Sequence, residues 1–345
     1  MTGLGELLNL ASDDHLTVVV CDFEPTVEQR TRIGRQFEGV ATRLKLIVAA
    51  DAGDAEAQLE EARRAHPASY LSLQLLSHRH DTYASCARFF HGLERKDMAR
   101  LELPVRGLGF SSSQVDFLLD VLEDSDFAEQ QRYSNDFFSA LESAAPYTVE
   151  IITPGARLAV TGAGPWFQLA GPLTADESRI LPGGEVAYTG DDVSGTFVVD
   201  GTLLATPQGP DAIEAALALQ QLMPQFRSDP VTFTIEKGVV RSLHSAGTLA
   251  ERLRSLLAHR AYARLVEVGV SFNRACRGLV YDWPASANEG YPGAHLGVGG
   301  DPAPDDDLNK DALVHIDFIS RDAQVFVNGS RFVATRDLVA GAAAP

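Results

Sequence analysis

A chain of 345 residues is long for one hydrophobic core, so two domains are expected. Hydrophobic residues make up 45% and charged residues 22%, the balance of a soluble protein, and no apolar run approaches the length of a membrane span. The formal net charge of −18 argues against a general basic face for nucleic acid, because phosphates are met by clustered Lys and Arg. Cys21, Cys86 and Cys276 are odd in number, far apart and without CxxC spacing, so neither a disulfide framework nor a zinc knuckle is suggested. The opening MTGLGELLNLASDD has neither the basic nor the apolar region of a signal peptide. A cytoplasmic protein without membrane or nucleic-acid partners is the expectation.

The first part alternates two kinds of segment. Leu16–Phe23 is a continuous apolar run suited to a buried strand, and Glu24–Phe37 follows with helical spacing. Leu44–Ala50 and Tyr70–Leu75 are further strands; Asp54–His66 and Tyr83–Leu93 are helices. Ser111-Ser112-Ser113 offers N-caps for a helix to about Asp124, and Phe137–Ser143 is one more helix. This alternation predicts an α/β N-terminal domain with a largely parallel sheet over 1–147. Near Ala145-Pro146 the pattern changes to short β-rich pieces split by Gly and Pro: Thr148–Ile152, Leu158–Thr161, Trp166–Ala170, Val186–Tyr188, Gly195–Asp200 and Leu203–Thr206. Two helical segments, Asp211–Leu222 and Leu249–Leu265, interrupt them. Val231–Ile235 and Val239–His244 flank a hairpin turn at Glu236-Lys237-Gly238. Strands at Val314–Phe318, Gln324–Val327 and Phe332–Ala334 close the chain around Asn328-Gly329, read as a turn rather than a glycosylation site. An α+β C-terminal domain with a mixed or antiparallel sheet is expected over 148–334, followed by a tail at 335–345.

Five residues in the second part are oxygen or nitrogen donors of the kind divalent metals use. Glu185 starts a strand after the Pro182-Gly183-Gly184 turn, and Glu267 is a carboxylate within the apolar stretch LVEVGVSFN. His295 sits among glycines in GAHLGVGG, and His315 and Asp317 flank Ile316 in LVHIDFIS. In a strand Leu313, His315 and Asp317 would share one face, and Val314, Ile316 and Phe318 the core face. Each residue also has an ordinary reading. Glu185 alone is a solvated side chain, Glu267 a partner for Arg264, His295 a loop hydrogen-bonder, and HxD a chance pattern. A buried Glu without a cation or a proton is expensive, which keeps the metal reading open.

Taken in order, LPGGEVAYTGDDVSGTFVVDG, LVEVGVSFN, GYPGAHLGVGG and LVHIDFISRDAQVFVNG resemble the ligand-bearing segments of the aminopeptidase T family of thermophilic-type metallo-aminopeptidases. The resemblance covers roughly residues 148–334. It implies two divalent ions, zinc, cobalt or manganese, held by Glu185, Glu267, His295, His315 and Asp317. It also implies hydrolysis at peptide N-termini, Glu267 as the group that takes the proton, and a homodimer. The chain departs from the family in lacking a Tyr shortly after His295, where the developing oxyanion would be stabilised; Tyr281 and Tyr291 precede it instead.

Two other classes stay open. A peptidase cleft without turnover is a peptide-binding protein on the same scaffold. The chain also resembles a group of non-haem iron ring-cleaving dioxygenases, a resemblance that implies the HxD pair, here His315 and Asp317, as iron ligands, but with a His where this chain has Glu267. Other motifs are weaker. His78-Arg79-His80 reads as a solvated loop and Gly107-Leu108-Gly109 as a turn, while Asp305-Asp306-Asp307 belongs to the general acid excess. Trp283 and Tyr281 would line a cleft near His295 or pack in the core.

Overall fold

The computed structural model describes residues 15–21, 23–37, 42–65, 70–75, 98–102, 111–162, 164–170, 178–207, 212–300 and 312–339. The opening segment, the helix expected at Tyr83–Leu93, His78-Arg79-His80, Gly107-Leu108-Gly109, Cys86, Asp305-Asp306-Asp307 and Gly341–Pro345 lie outside the described residues. Among the described residues no helix is long and apolar enough to cross a membrane. The chain forms two compact units.

The first unit runs to Ala128 and also takes Gly171–Gly183 and Ala285–Ala287. Its sheet is parallel, with strands β1 (His15–Cys21), β2 (Thr42–Val48), β3 (Tyr70–Leu75), β4 (Met98–Glu102) and β8 (Ser178–Ile180) in the order β2-β1-β3-β4-β8. Val18, Val19, Val20 and Cys21 are all at most 1% exposed, as a central parallel strand covered on both faces requires. The helices Val27–Arg35 and Ser112–Asp124 each open with a capping box, Thr26 with Gln29 and Ser111 with Gln114. Arg32 of the first helix pairs with Asp120 and Glu123 of the second.

The second unit holds Glu129–Ala170, Gly184–Pro284 and the chain from Asn288. It contains two antiparallel sheets, built from β5 (Tyr147–Thr153), β6 (Ala156–Gly162), β7 (Trp166–Leu169), β9 (Glu185–Tyr188), β10 (Val193–Val199), β11 (Thr202–Pro207), β12 (Val231–Glu236), β13 (Val239–His244), β14 (Leu265–Ser271), β15 (Gly293–Gly299), β16 (Val314–Ile319), β17 (Gln324–Val327) and β18 (Ser330–Ala334). The seven-stranded sheet is ordered β13-β12-β10-β6-β5-β17-β18 and the six-stranded sheet β11-β16-β15-β14-β9-β7. One apolar core joins their inner faces, where the rings of Phe233 on β12 and Phe318 on β16 lie 4.8 Å apart. The helix Phe127–Glu142 buries Phe137 against Trp166 and Phe332.

Both expected hairpin turns form. Lys237 and Gly238 take φ of 50° and 71°, and Asn328 and Gly329 take 50° and 79°, the paired left-handed residues that suit the twist of the flanking strands. The Asn328 side chain accepts from Thr148 N at 2.9 Å and donates to Ala140 O at 2.7 Å, so it braces the turn.

The helix expected over Leu249–Leu265 is shorter. It ends at Leu257, and Leu265 opens strand β14, where Val266, Val268 and Val270 alternate with Glu267, Gly269 and Ser271. The helix expected at Phe137–Ser143 instead begins at Phe127. Strand β14 carries a bulge. Leu265 pairs with Val298 while Glu267 pairs with Gly297, so Val266 is an extra residue opposite β15. Leu265 thereby joins the core at 5% exposure, and Glu267 keeps the other face.

Candidate metal centre

The outer face of the six-stranded sheet gathers all five donor residues. Glu267, Gly297 and Asp317 pair across β14, β15 and β16. Gly269 pairs with His295, Gly299 with His315, and Ser271 with Glu185. Directly paired residues of antiparallel strands point to the same side, so one face carries Glu185, Glu267, His295, His315 and Asp317. Val186, Val268, Leu296, Ile316 and Phe318 point the other way and are at most 1% exposed. The alternation expected for His315 and Asp317 holds within β16; Leu313, before the strand, is exposed.

Two glycines let large side chains lie over this face. A Cβ on Gly269 would fall 2.1 Å from both Cε1 and Nε2 of His295, and one on Gly297 would fall 2.7 Å from Glu267 Cβ and 3.0 Å from His315 Cε1. The strand therefore has no side chain where the imidazoles must pass. Gly297 is among the glycines around His295 that the sequence reads as allowing close backbone approach, whereas Gly269 was not singled out. The signal was there, since Gly269 and Ser271 alternate in phase with Glu267.

The donors form two groups with one member in common. Glu185, Glu267 and His295 have ligand atoms within 4.8 Å of one another, as do Glu267, His315 and Asp317. His295 Nε2 lies 3.6 Å from Glu185 Oε2 and 3.5 Å from Glu267 Oε1. His315 Nε2 lies 3.6 Å from Glu267 Oε2 and 2.7 Å from Asp317 Oδ1. The two oxygens of Glu267 thus face the two groups separately. His315 Nδ1 is 2.6 Å from the carbonyl of Gly300, an acceptor only, so Nδ1 donates there and orients the ring with Nε2 toward the carboxylates. His295, His315 and Asp317 are buried, while Glu185 and Glu267 reach partly to solvent. Ser271 donates to the carbonyl of Glu289 and lies 3.4 Å from Glu185 Oε2.

The electrostatics favour positive charge. Burial alone would lower the basicity of His295, but its hydrogen bond to Glu267 and the charges of Glu185, Glu267 and Asp317 outweigh that, and its pKa is pushed up to about 10. Three carboxylates, Glu267 shared among them, and two imidazoles match the donor set that hard-to-borderline divalent ions take, and the carboxylates would offset most of the charge of two such ions. These residues fit a metal; the geometry does not select the element.

The ordinary partner considered for Glu267 is engaged elsewhere, because Arg264 pairs with Asp191. The two tyrosines are also engaged. The Tyr291 hydroxyl donates to Arg321 O at 3.3 Å and burial pushes its pKa up to about 12, while the Tyr281 ring lies under the Arg227 guanidinium at 5.0 Å. Neither makes a contact with the five donors among the described interactions.

Comparison with known proteins bears on the fold. Residues 177–328 match the family model described as crocagin biosynthetic protein CgnE/B. It is not the aminopeptidase T family that the motifs resemble. The structure is similar to 2,5-dihydroxypyridine dioxygenase from Pseudomonas putida KT2440, at 13% identity and a TM-score of 0.56, over 92% of this chain and 89% of that one. It is also similar to AmpT from Thermus thermophilus, at 17% identity and a TM-score of 0.55, over 95% of this chain and 94% of that one. No curated protein matches the sequence.

Proposed function

We propose that the chain is a metal-dependent hydrolase of the aminopeptidase type, acting at the N-terminus of a peptide. The observation that carries this is Glu267, whose two oxygens face two separate donor groups, an arrangement suited to a pair of ions. Glu185 and His295 would hold one ion, His315 and Asp317 the other, with Glu267 shared. Zinc, cobalt or manganese would supply an activated water and polarise the amide carbonyl. Glu267 is the candidate for moving the proton, since one of its oxygens can release its partner while the other holds. A free peptide amine would seat near Glu185, which reaches partly to solvent. The likeness to AmpT supports this reading at the level of fold.

The test is metal analysis of the purified chain together with release of N-terminal residues from a broad panel of free-amine peptides. About two ions per chain and metal-dependent release are expected, with Glu267→Gln lowering release by on the order of 100-fold or more. Bound metal without release from any peptide would sink the hydrolase reading.

The second reading is a peptide-binding protein on the same scaffold. It is favoured by the engagement of Tyr281 and Tyr291 elsewhere, which leaves the oxyanion without the expected helper, and by the family model of a biosynthetic protein. Calorimetry would show peptide affinity without product. The dioxygenase reading rests on the other fold neighbour, but three carboxylates depart from a two-His-one-carboxylate iron site. Iron content with oxygen uptake on hydroxylated aromatic rings would support it.

A further inference from the structure

Strand β11 forms the edge of the six-stranded sheet beside β16. Thr202 pairs with Ile319, Leu204 with Asp317 and Thr206 with His315. The three β11 side chains therefore project onto the face that carries the metal ligands, and the Cβ of Thr206 stands roughly 5 Å from that of His315. Thr202 and Thr206 differ in one respect. The Thr202 hydroxyl reaches the carbonyls of Leu203 and Met223, at 3.4 and 3.5 Å. The Thr206 hydroxyl oxygen is buried and has no hydrogen-bond partner among the described residues. A buried hydroxyl is ordinarily paired, and an orphan on the functional face marks a place where a partner arrives from outside the chain.

We propose that Thr206 Oγ1 is the donor that binds an oxygen of the ligand seated at the Glu267–His315–Asp317 side of the centre. This rests on the hydrolase reading above. The carbonyl or hydroxamate oxygen of an amide-like ligand is an acceptor, and Thr206 supplies the hydroxyl that neither Tyr281 nor Tyr291 brings there. Its β-branched side chain has few rotamers, so the donor is held without a long lever. Because His315 is oriented from behind by the Gly300 carbonyl, its Nε2 faces Asp317 and Glu267, where the ion would sit, while Thr206 faces the ligand.

The experiment uses the full chain loaded with Zn²⁺ or Mn²⁺ and leucine hydroxamate as the probe. Binding is measured by calorimetry for the native chain, Thr206→Val and Thr206→Ser, with metal content measured on the same preparations. Val keeps the shape and removes the hydroxyl; Ser keeps the hydroxyl. Thr206→Val is expected to bind the probe about tenfold more weakly with metal content unchanged, and Thr206→Ser to bind within about threefold of the native chain. Equal binding by the native chain and Thr206→Val overturns the proposal while leaving the hydrolase reading in place. Loss of metal in Thr206→Val also overturns it, since the hydroxyl would then serve the ion. A native chain that holds metal but ignores the probe overturns both.

Discussion

Gly269 decides how near His295 can lie to the sheet, because a methyl group there would stand 2.1 Å from the imidazole. Gly269→Ala would improve strand propensity slightly yet push the ring off its position. The expected outcome is a fall from about two ions per chain to about one, with affinity at the Glu185–Glu267–His295 group lowered on the order of 10–100-fold. Metal analysis after dialysis checks this, and a full complement of ions would show that the ring tolerates the shift. At this scale the sequence was most legible in its donors. All five residues singled out in the sequence fall on one face, because β9, β14, β15 and β16 pair in a register that puts them on the same side. The glycine floor was less legible, since glycine in a strand reads first as a weakness or a turn. Thr206 was invisible in the sequence. Only the pairing of β11 with β16, between segments far apart in the chain, sets it beside His315.

Asp229 shows how an element is secured from outside its own segment. Its carboxylate accepts from Gly247 N at 2.7 Å, Leu249 N at 2.8 Å and Ser245 Oγ at 3.2 Å, and so caps the helix Leu249–Leu257. Partial burial works against the charge, but the backbone donors win and hold the carboxyl below its usual range. Asp229→Ala is expected to cost about 1 kcal/mol in urea unfolding at neutral pH. A carboxylate with a depressed folded pKa stabilises above its unfolded value, near ~3.9, and loses that contribution as pH falls through the folded value. The difference between native chain and variant should therefore shrink below about pH 4; a constant difference would point to packing instead. Elements with strong local signals were legible, including the serine N-cap of Ser112–Asp124 and both hairpins, while the Thr26 capping box was not read. The three-residue strand β8 was not, because its partner β4 is distant in sequence and three residues carry no period. The apolar run from Leu249 toward Leu265 reads as one helix, whereas the β-branched alternation after Leu265 hands it to the sheet.

For the whole molecule, metal removal and pH act on the same charges. His295 is raised to about 10 from an ordinary 6.5 when only protein groups surround it. Its protonated form stabilises the ion-free fold fully below about 6.5, and that contribution is lost as pH rises through about 10. A metal-loaded fold would need the neutral imidazole, so metal binding at pH 7.5 would release a proton and strengthen as pH rises. Free ion at 100 times its Kd would stabilise the fold by about 2.7 kcal/mol per site. Thermal melts from pH 6 to pH 10, with and without chelator, should diverge with the chelated protein falling faster; parallel curves would remove His295 from the ligand set. The net charge of −18 spoke to partners but not to this local field, which depends on which carboxylates the sheet brings together. Because parity assigns each side chain its face, chain length between Val266 and Ser271 is fixed in a way that the segment before Leu265 is not. One residue gained or lost right after the bulge would turn Glu267 inward and present Val268 to the other donors. The same change just before Leu265 would leave every donor in place, so length variation in chains of this design belongs outside Val266–Ser271.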